Sequence, residues 1–431
     1  MAFRRRVGRF FYMPVSSCGR RQATPLQGIP RSRPRCLGLS VCGKGGTLRR
    51  MSSRVFTVHC SDYSAVAGAV ARLLDGLGGM ADYVKPGQSV LIKPNLLTDA
   101  RPEEAVTTHP EVVRAVIRAV KAVGAFPWVA DSPANVADLA KVWAKTGMEA
   151  LCREESVPLV NLEQAGSETF EESGMRFTIA RPVLEADAII SVPKVKTHVL
   201  TGLTAAVKNM YGVVPGFQKT ALHKRYPRAG EFGEMLAAVY GHVKPVLAVA
   251  DGVVAMDGDG PSAGAPFPLG ILAASADGVA LDAVLCRMMG MDPAHIAYLT
   301  TAARRGFGVC DFGQIVVEGD GAKGMPARVC RLPKTVPTAL IPRWLVKVIE
   351  PFVWHRPSFS ERCISCGQCV NACPVSALQL KPGERPVLNA KACIACCCCH
   401  EVCPVRAIEM MPSPLFRIVQ AIRSRRDQGV A

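Results

Sequence analysis

The sequence predicts an α/β protein: a mostly parallel sheet with helices on both faces, followed by a small C-terminal α+β domain. Three observations carry this. From residue 55 to about residue 329, short apolar runs alternate with helical patterns, which is how βαβ units read in sequence. Some runs, such as Ala188-Ile-Ile-Ser-Val192, are almost wholly apolar, as a strand covered on both faces requires. Near the C-terminus the pattern gives way to two copies of C-x2-C-x2-C-x3-C-P, thirty residues apart.

Taken in order, strands are predicted over 55–59, 89–93, 128–131, 159–162, 188–192, 246–250, 269–274 and 314–318. Helices are predicted over 65–77, 111–123, 136–145, 204–211, 232–243 and 279–289. The run Glu111-Val-Val-Arg-Ala-Val-Ile-Arg-Ala-Val120 has apolar residues three and four apart, giving one buried face. Thr108 is expected to cap that helix and Pro110 to occupy its first turn. Between the two domains, Trp344-Leu-Val-Lys-Val-Ile-Glu-Pro-Phe-Val-Trp354 reads as a short amphipathic helix, better suited to packing between domains than to a membrane surface. The expected organisation is a basic leader (1–50), the α/β domain (51–330), a proline-rich linker (331–358), the cysteine-rich domain (359–412) and a basic tail (413–431).

The chain of 431 residues carries a net charge of +17, and the location of that charge decides its meaning. Residues 1–50 hold twelve Lys or Arg and no acid, whereas the remainder holds 40 basic against 35 acidic residues. The excess therefore belongs to a leader and not to a nucleic-acid-binding face of the folded part. The leader reads as an organellar transit peptide, or as sequence upstream of a start at Met51, where Ser52-Ser53-Arg54 leads straight into a strand. A twin-arginine signal at Arg4 to Arg6 ranks below both, since no clean apolar stretch follows. No apolar run is long enough to predict a transmembrane segment.

The cysteine repeat has the ligand spacing of bacterial-type [4Fe–4S] sites, where the fourth cysteine of each run serves the other cluster. Cys363, Cys366, Cys369 and Cys403 are thus assigned to one cluster, and Cys393, Cys396, Cys399 and Cys373 to the other. Disulfides would need a secretory context that no apolar signal segment supports, and zinc sites come as CxxC pairs set further apart. The repeat extends to Ile364, Val375 and Ala377, which return as Ile394, Val405 and Ala407. Residues 359–412 resemble the two-cluster bacterial ferredoxins. Cys397 and Cys398 depart from the first copy, Cys397 standing where Gly367 does, and both are expected to be small bystanders. Cys60, Cys152, Cys286, Cys310 and Cys330 are scattered and expected to be buried small hydrophobes.

In parallel sheets ligands bind beyond the carboxyl ends of the strands. The residues there are Lys93 and Asn95; Lys194, Lys196 and His198, followed by Lys208 and Asn209; and Asp251, followed by Asp257. Singly each reads as an ordinary turn or core residue; together with His109 they predict a cleft for an anionic small molecule bearing phosphate or carboxylate. Lys194, Lys196, His198, His109 and Asp251 are the candidate catalytic residues, and Lys93, Asn95, Lys208, Asn209 and Asp257 the candidate binding residues. Gly319-Asp-Gly-Ala-Lys-Gly324 matches a dinucleotide fingerprint by letter only, because no helix follows it.

Lys93-Pro-Asn-Leu-Leu97, Thr108-His-Pro110, Val192-Pro-Lys-Val-Lys-Thr-His198, Val207-Lys-Asn-Met-Tyr-Gly212 and Asp251-Gly with Gly258-Asp-Gly-Pro261 make the chain resemble the domain-of-unknown-function 362 family over about residues 55–320. The resemblance implies the domain arrangement and often a ferredoxin-like appendage, and transfers no reaction. The expected function is redox: two [4Fe–4S] clusters exchange electrons with the anion held by the α/β domain, and a redox partner protein is expected. A non-enzymatic electron carrier or maturation factor is the alternative. Free thiols and clusters place the protein in the cytoplasm, or in an organelle if the leader is a transit peptide.

Overall fold

In the computed structural model the described residues are 52–133, 138–323, 330–333 and 354–414, within one compact unit that begins at Ser52. The leader, the linker helix except Trp354, and the tail from residue 415 lie outside them.

The main sheet runs in the order Ile315–Gly319, Ser53–His59, Ile271–Ser275, Leu247–Asp257, Ala188–Val192, Ser89–Pro94, Phe126–Asp131 and Leu159–Asn161. Only Ile271–Ser275 runs against its neighbours. Every other adjacent pair is parallel, so the predicted fold class holds. Alternation along each strand divides the core in two. Val90, Ile92, Val129, Ile190 and Val249 meet the helices Val66–Gly76 and Pro110–Ala122 on one face. Leu91, Ala130, Ile189, Ala248 and Ala250 meet the helices Ala229–Val243, Gly278–Met288 and Ala297–Arg304 on the other. Helix Pro110–Ala122 buries Val112, Val113, Val116, Ile117 and Val120 completely. At 1.5–3 kcal/mol per side chain, that face stabilises the fold by roughly 10 kcal/mol as an upper bound.

Two local expectations change. His109, not Thr108, is the N-cap of that helix, its side chain accepting from the Glu111 N–H at 3.3 Å. Thr108 is taken up elsewhere: its hydroxyl accepts from Asn95 N and donates to Val192 O, clamping two strand ends together. Cys310 is half-buried, unlike Cys60, Cys152, Cys286 and Cys330, which are buried as expected.

The segment after Val192 is not a loop. Lys194–His198 is a strand, buried at every residue, pairing parallel with the far half of Leu247–Asp257 and antiparallel with Gly202–Thr204. Helix Gly216–Arg225 and the hairpin Ser167–Glu172/Met175–Ala180 were not anticipated in the sequence.

The cysteine-rich segment opens and closes with the paired strands His355–Phe359 and Ile408–Pro412 and packs directly on the α/β body. Ser262 donates its hydroxyl to Glu401 O at 2.9 Å, and Arg406 pairs with Glu104 at 3.2 Å.

Candidate functional site

The two cysteine loops repeat in three dimensions as they do in sequence. Ser365, Gly367 and Ser376 have positive φ, and so do their counterparts Ala395, Cys397 and Arg406 thirty residues on. Ala377 N donates to Cys373 Sγ at 3.2 Å, and Ala407 N donates to Cys403 Sγ at the same distance. Such bonds hold a thiolate in orientation and tune a cluster it ligates. One cavity of about 330 Å³ is walled by Cys363, Cys366, Cys369 and Cys403, and another of about 340 Å³ by Cys393, Cys396, Cys399 and Cys373. Each set takes its fourth thiol from the other loop. Among the described residues no group of three or more His, Cys, Asp or Glu side chains is placed to hold a single metal ion. Cys397 also borders the second cavity, at the place where Gly367 borders the first.

A third, larger cleft of about 710 Å³ opens at the carboxyl ends of the Ser89–Pro94 and Phe126–Asp131 strands. Of the five candidate binding residues, Lys93, Asn95, Lys208 and Asn209 line it and Asp257 does not. Lys219 and His223 join them from helix Gly216–Arg225, and Ala372, Cys398 and Val402 close it from the cysteine-rich side.

Burial and pairing set the charges. Lys93 spends all three protons, on Asp131 at 2.7 Å, Asn209 Oδ1 at 3.0 Å and Pro94 O at 2.8 Å. Asn209 returns Nδ2–H bonds to Lys93 O and Ser191, so it is a brace for Lys93. The ammonium of Lys208 makes no hydrogen bond or ion pair among the described residues and stands 5.7 Å from the Tyr211 ring. Burial pulls its pKa down, opposed by Glu401. Lys219 donates to Ser132 O and Pro133 O, and burial lowers its pKa to about 8. Burial likewise drops His223 to about 4, so its ring is neutral at pH 7. Among the described residues Lys208 and Lys219 are thus amines stripped of water and without a carboxylate partner, which is what an anion would relieve.

Asp282 holds this end together and carried no sequence signal beyond being an acid in a helix. Fully buried, it accepts from Ala206 N at 2.6 Å and Val207 N at 3.0 Å, the first N–H groups of the short helix bearing Lys208 and Asn209. Burial raises its pKa to about 7.

The candidate catalytic residues lie elsewhere. Lys194 is fully buried, paired with Asp251 at 2.9 Å and bonded to Tyr63 OH at 2.8 Å. Asp251 also accepts from Tyr63 OH and His109 N, so its carboxylate is engaged by three groups of the protein. His109 stacks on Tyr63 at 3.6 Å. Lys196 is buried behind the cleft, bonded to Asn95 Oδ1 and Val106 O, and its pKa is pulled well down by burial. Asp257 is engaged by Arg331 at 2.8 Å. Pairing of Lys194–His198 with Leu247–Asp257 buries Lys194, Lys196 and Asp251 within the protein. His198 is buried too, its Nδ1 accepting from Leu200 N at 3.0 Å and its Nε2 lying 3.3 Å from Glu401 Oε1. With Nδ1 an acceptor, the proton sits on Nε2, and burial lowers the ring's pKa to about 3 while Glu401 is held ionised.

Residues 90–287 match the family model for a domain of unknown function, DUF362, and residues 359–379 match that for a 4Fe–4S binding domain. A thylakoid-associated protein of Synechocystis is 36% identical over 259 residues, an alignment covering 59% of this chain and 80% of that relative. The chain belongs to the DUF362 family. In this DUF362 protein the family motifs fall on the cleft floor and on the buried Lys194–Asp251 layer beside it, and the iron–sulfur binding domain forms the opposite wall. A lactate racemase apoprotein from Thermoanaerobacterium thermosaccharolyticum matches at 14% identity with a TM-score of 0.38, over 56% of this chain and 58% of that one, too slight a likeness to carry an argument. Among the described residues no helix is long and apolar enough to cross a membrane.

Proposed function

We propose that this DUF362 protein is an iron–sulfur redox protein that exchanges electrons with an anionic small molecule bound in the lysine-lined cleft. One observation carries this: the same cleft is walled by Lys93, Lys208 and Lys219 on one side and on the other by Cys398, Ala372 and Val402, chain neighbours of the cluster cysteines. A ligand there would sit against the polypeptide that holds the iron. Two clusters are proposed, one in each four-cysteine cavity, and each would supply single electrons. The chain's own residues would bind and orient. Lys208, unpaired, would meet the anion first; Lys219 would add charge; neutral His223 would offer a hydrogen bond or a proton; and Lys93, locked by Asp131 and Asn209, would set the field without moving.

A compartment that keeps thiols reduced is expected, the cytoplasm or an organelle reached through the leader. The relative's association with thylakoids gives weight to the second.

The test uses the full chain, purified without oxygen and reduced with dithionite, with cluster reoxidation followed as fractions of small metabolites are added. A fraction that speeds reoxidation in wild type but not in Lys208→Met supports an enzyme and delivers its substrate. Silence to every fraction, with fast electron exchange with carrier proteins, supports the electron-carrier alternative and sinks the proposal.

A further inference from the structure

The lysine-lined cleft leaves more hydrogen bonds unmade than a plain anion would complete. Thr204, on the strand Gly202–Thr204, is 2% exposed and lines the cleft, yet its hydroxyl has no partner among the described residues. His223, 5% exposed, lines it with Nδ1 in the same condition. With the ammonium of Lys208 these are groups able to donate to an anion, and leaving them buried and unpaired costs free energy. A bound anion accounts for them. It does not account for Glu401, which lines the same cleft from the cysteine-rich side. An ionised carboxylate only accepts, and the buried Oε1 of Glu401 has no hydrogen bond among the described residues. Nε2 of His198 approaches it to 3.3 Å without hydrogen-bond geometry, and is itself left unbonded. No ion pair joins Glu401 to Lys208, although both line the cleft. The α/β side thus presents donors and the cysteine-rich side an acceptor, and the protein does not bring the two together.

We propose that the molecule bound here is bifunctional: beside the carboxylate or phosphate that meets Lys208, it carries a hydroxyl or ammonium group that donates to Glu401. This ligand class rests on the cleft being the anion site proposed above, and narrows what that site takes. Glu401 becomes the residue that selects among anions. A plain anion brings one more acceptor to a carboxylate that lacks a donor, whereas a hydroxyl or ammonium supplies that donor. Acetate and glycolate show the difference cleanly. They carry the same charge and differ by one hydroxyl, so the charge of anything else near the cleft cancels when they are compared.

The full chain, purified without oxygen, is unfolded thermally in rising concentrations of acetate, glycolate or glycine, and of ethyl phosphate or phosphoethanolamine. Apparent affinities are read from the rise of the midpoint. Glycolate and glycine should bind about tenfold tighter than acetate, or phosphoethanolamine about tenfold tighter than ethyl phosphate. The set that responds tells a carboxylate from a phosphate. Glu401→Gln should remove most of that margin, glycine or phosphoethanolamine losing most, and leave acetate and ethyl phosphate no weaker. Iron content equal to wild type shows that its cysteine loop is intact; should iron fall, the wild-type comparison decides alone. In Lys208→Met no probe should raise the midpoint. Equal affinities within both sets, or a margin that survives Glu401→Gln, overturn the bifunctional ligand and leave the cleft an anion site. If no probe raises the wild-type midpoint, or Lys208→Met responds as wild type does, the anion site falls and the ligand class with it. The readout is unfolding, and no electron transfer enters it.

Discussion

Glu401 of the cysteine-rich domain stands 3.3 Å from the buried Nε2 of His198, on the strand formed by the family's Lys-Val-Lys-Thr-His motif. A carboxylate held beside the cluster loops is thereby delivered into the α/β body, next to the cleft it helps to line. The relationship joins the two parts of the chain beside one cleft, in which Lys93 is held by an ion pair and Lys208 is not.

Lys194→Met and Lys208→Met should therefore behave differently. The first leaves the Asp251 carboxylate buried without its ion-pair partner, and breaking such a pair costs about 3–5 kcal/mol. The second removes a desolvated cation that makes no hydrogen bond or ion pair among the described residues, so stability should not fall while the response to the anion is lost. Denaturant unfolding together with ligand titration separates them. Equal destabilisation by both would be the contrary result.

Anion affinity should depend on pH through Lys219. Its pKa is lowered from the ordinary lysine value to about 8 because burial disfavours the charged form. Below about pH 8 the group is charged and affinity is level; above it, affinity falls as the charge is lost. A bound anion raises the pKa again, so binding near pH 8 takes up protons. Calorimetry in two buffers of different ionisation heat reads that uptake directly. For stability alone the sign reverses: an unfolded lysine binds the proton more tightly, so this group favours the folded state increasingly from about pH 8 upward.

Gly212 cannot be enlarged. A Cβ there would lie 2.1 Å from Asp131 Oδ1 and 2.5 Å from Lys93 Nζ, in the middle of a buried ion pair. Gly212→Ala should cost about 1–3 kcal/mol by overpacking and should abolish the anion response. Thermal unfolding and the reoxidation assay together check it; a neutral substitution would show that the pair has slack.

Cys397→Gly and Cys373→Ser should part company in iron content. Cys397 holds φ at 63°, the left-handed conformation that Gly367 adopts at the equivalent place, so glycine relieves backbone strain as it removes a buried thiol. These terms are each about 1 kcal/mol and oppose one another, leaving stability and iron nearly unchanged. Cys373→Ser removes one of the four thiols assigned to the second cavity and should lose one cluster's worth of iron. Iron analysis with EPR decides. Iron lost from Cys397→Gly would instead make that thiol a ligand.

Much was legible in the residues alone because it is local. The period of apolar residues marked six of the helices and the eight strands of the main sheet, though Leu247–Asp257 runs seven residues beyond its expected end at 250, since burial of one face or two leaves its imprint on each segment separately. Cysteine spacing grouped the thiols as the two cavities do, each walled by three thiols of one short loop and one of the other. Lys93, Asn95, Lys208 and Asn209, singled out beyond the strand ends, do line one cleft. Tertiary structure alone decided the rest. Whether a lysine beyond a strand faces a ligand or a buried aspartate depends on partners far along the chain, and Lys194 was withdrawn from the cleft by Asp251, 57 residues away. Lys219, His223, Asp282 and Glu401 had no sequence signal, because a charge gains its meaning from desolvation and neighbours, and only packing of the assembled chain supplies those.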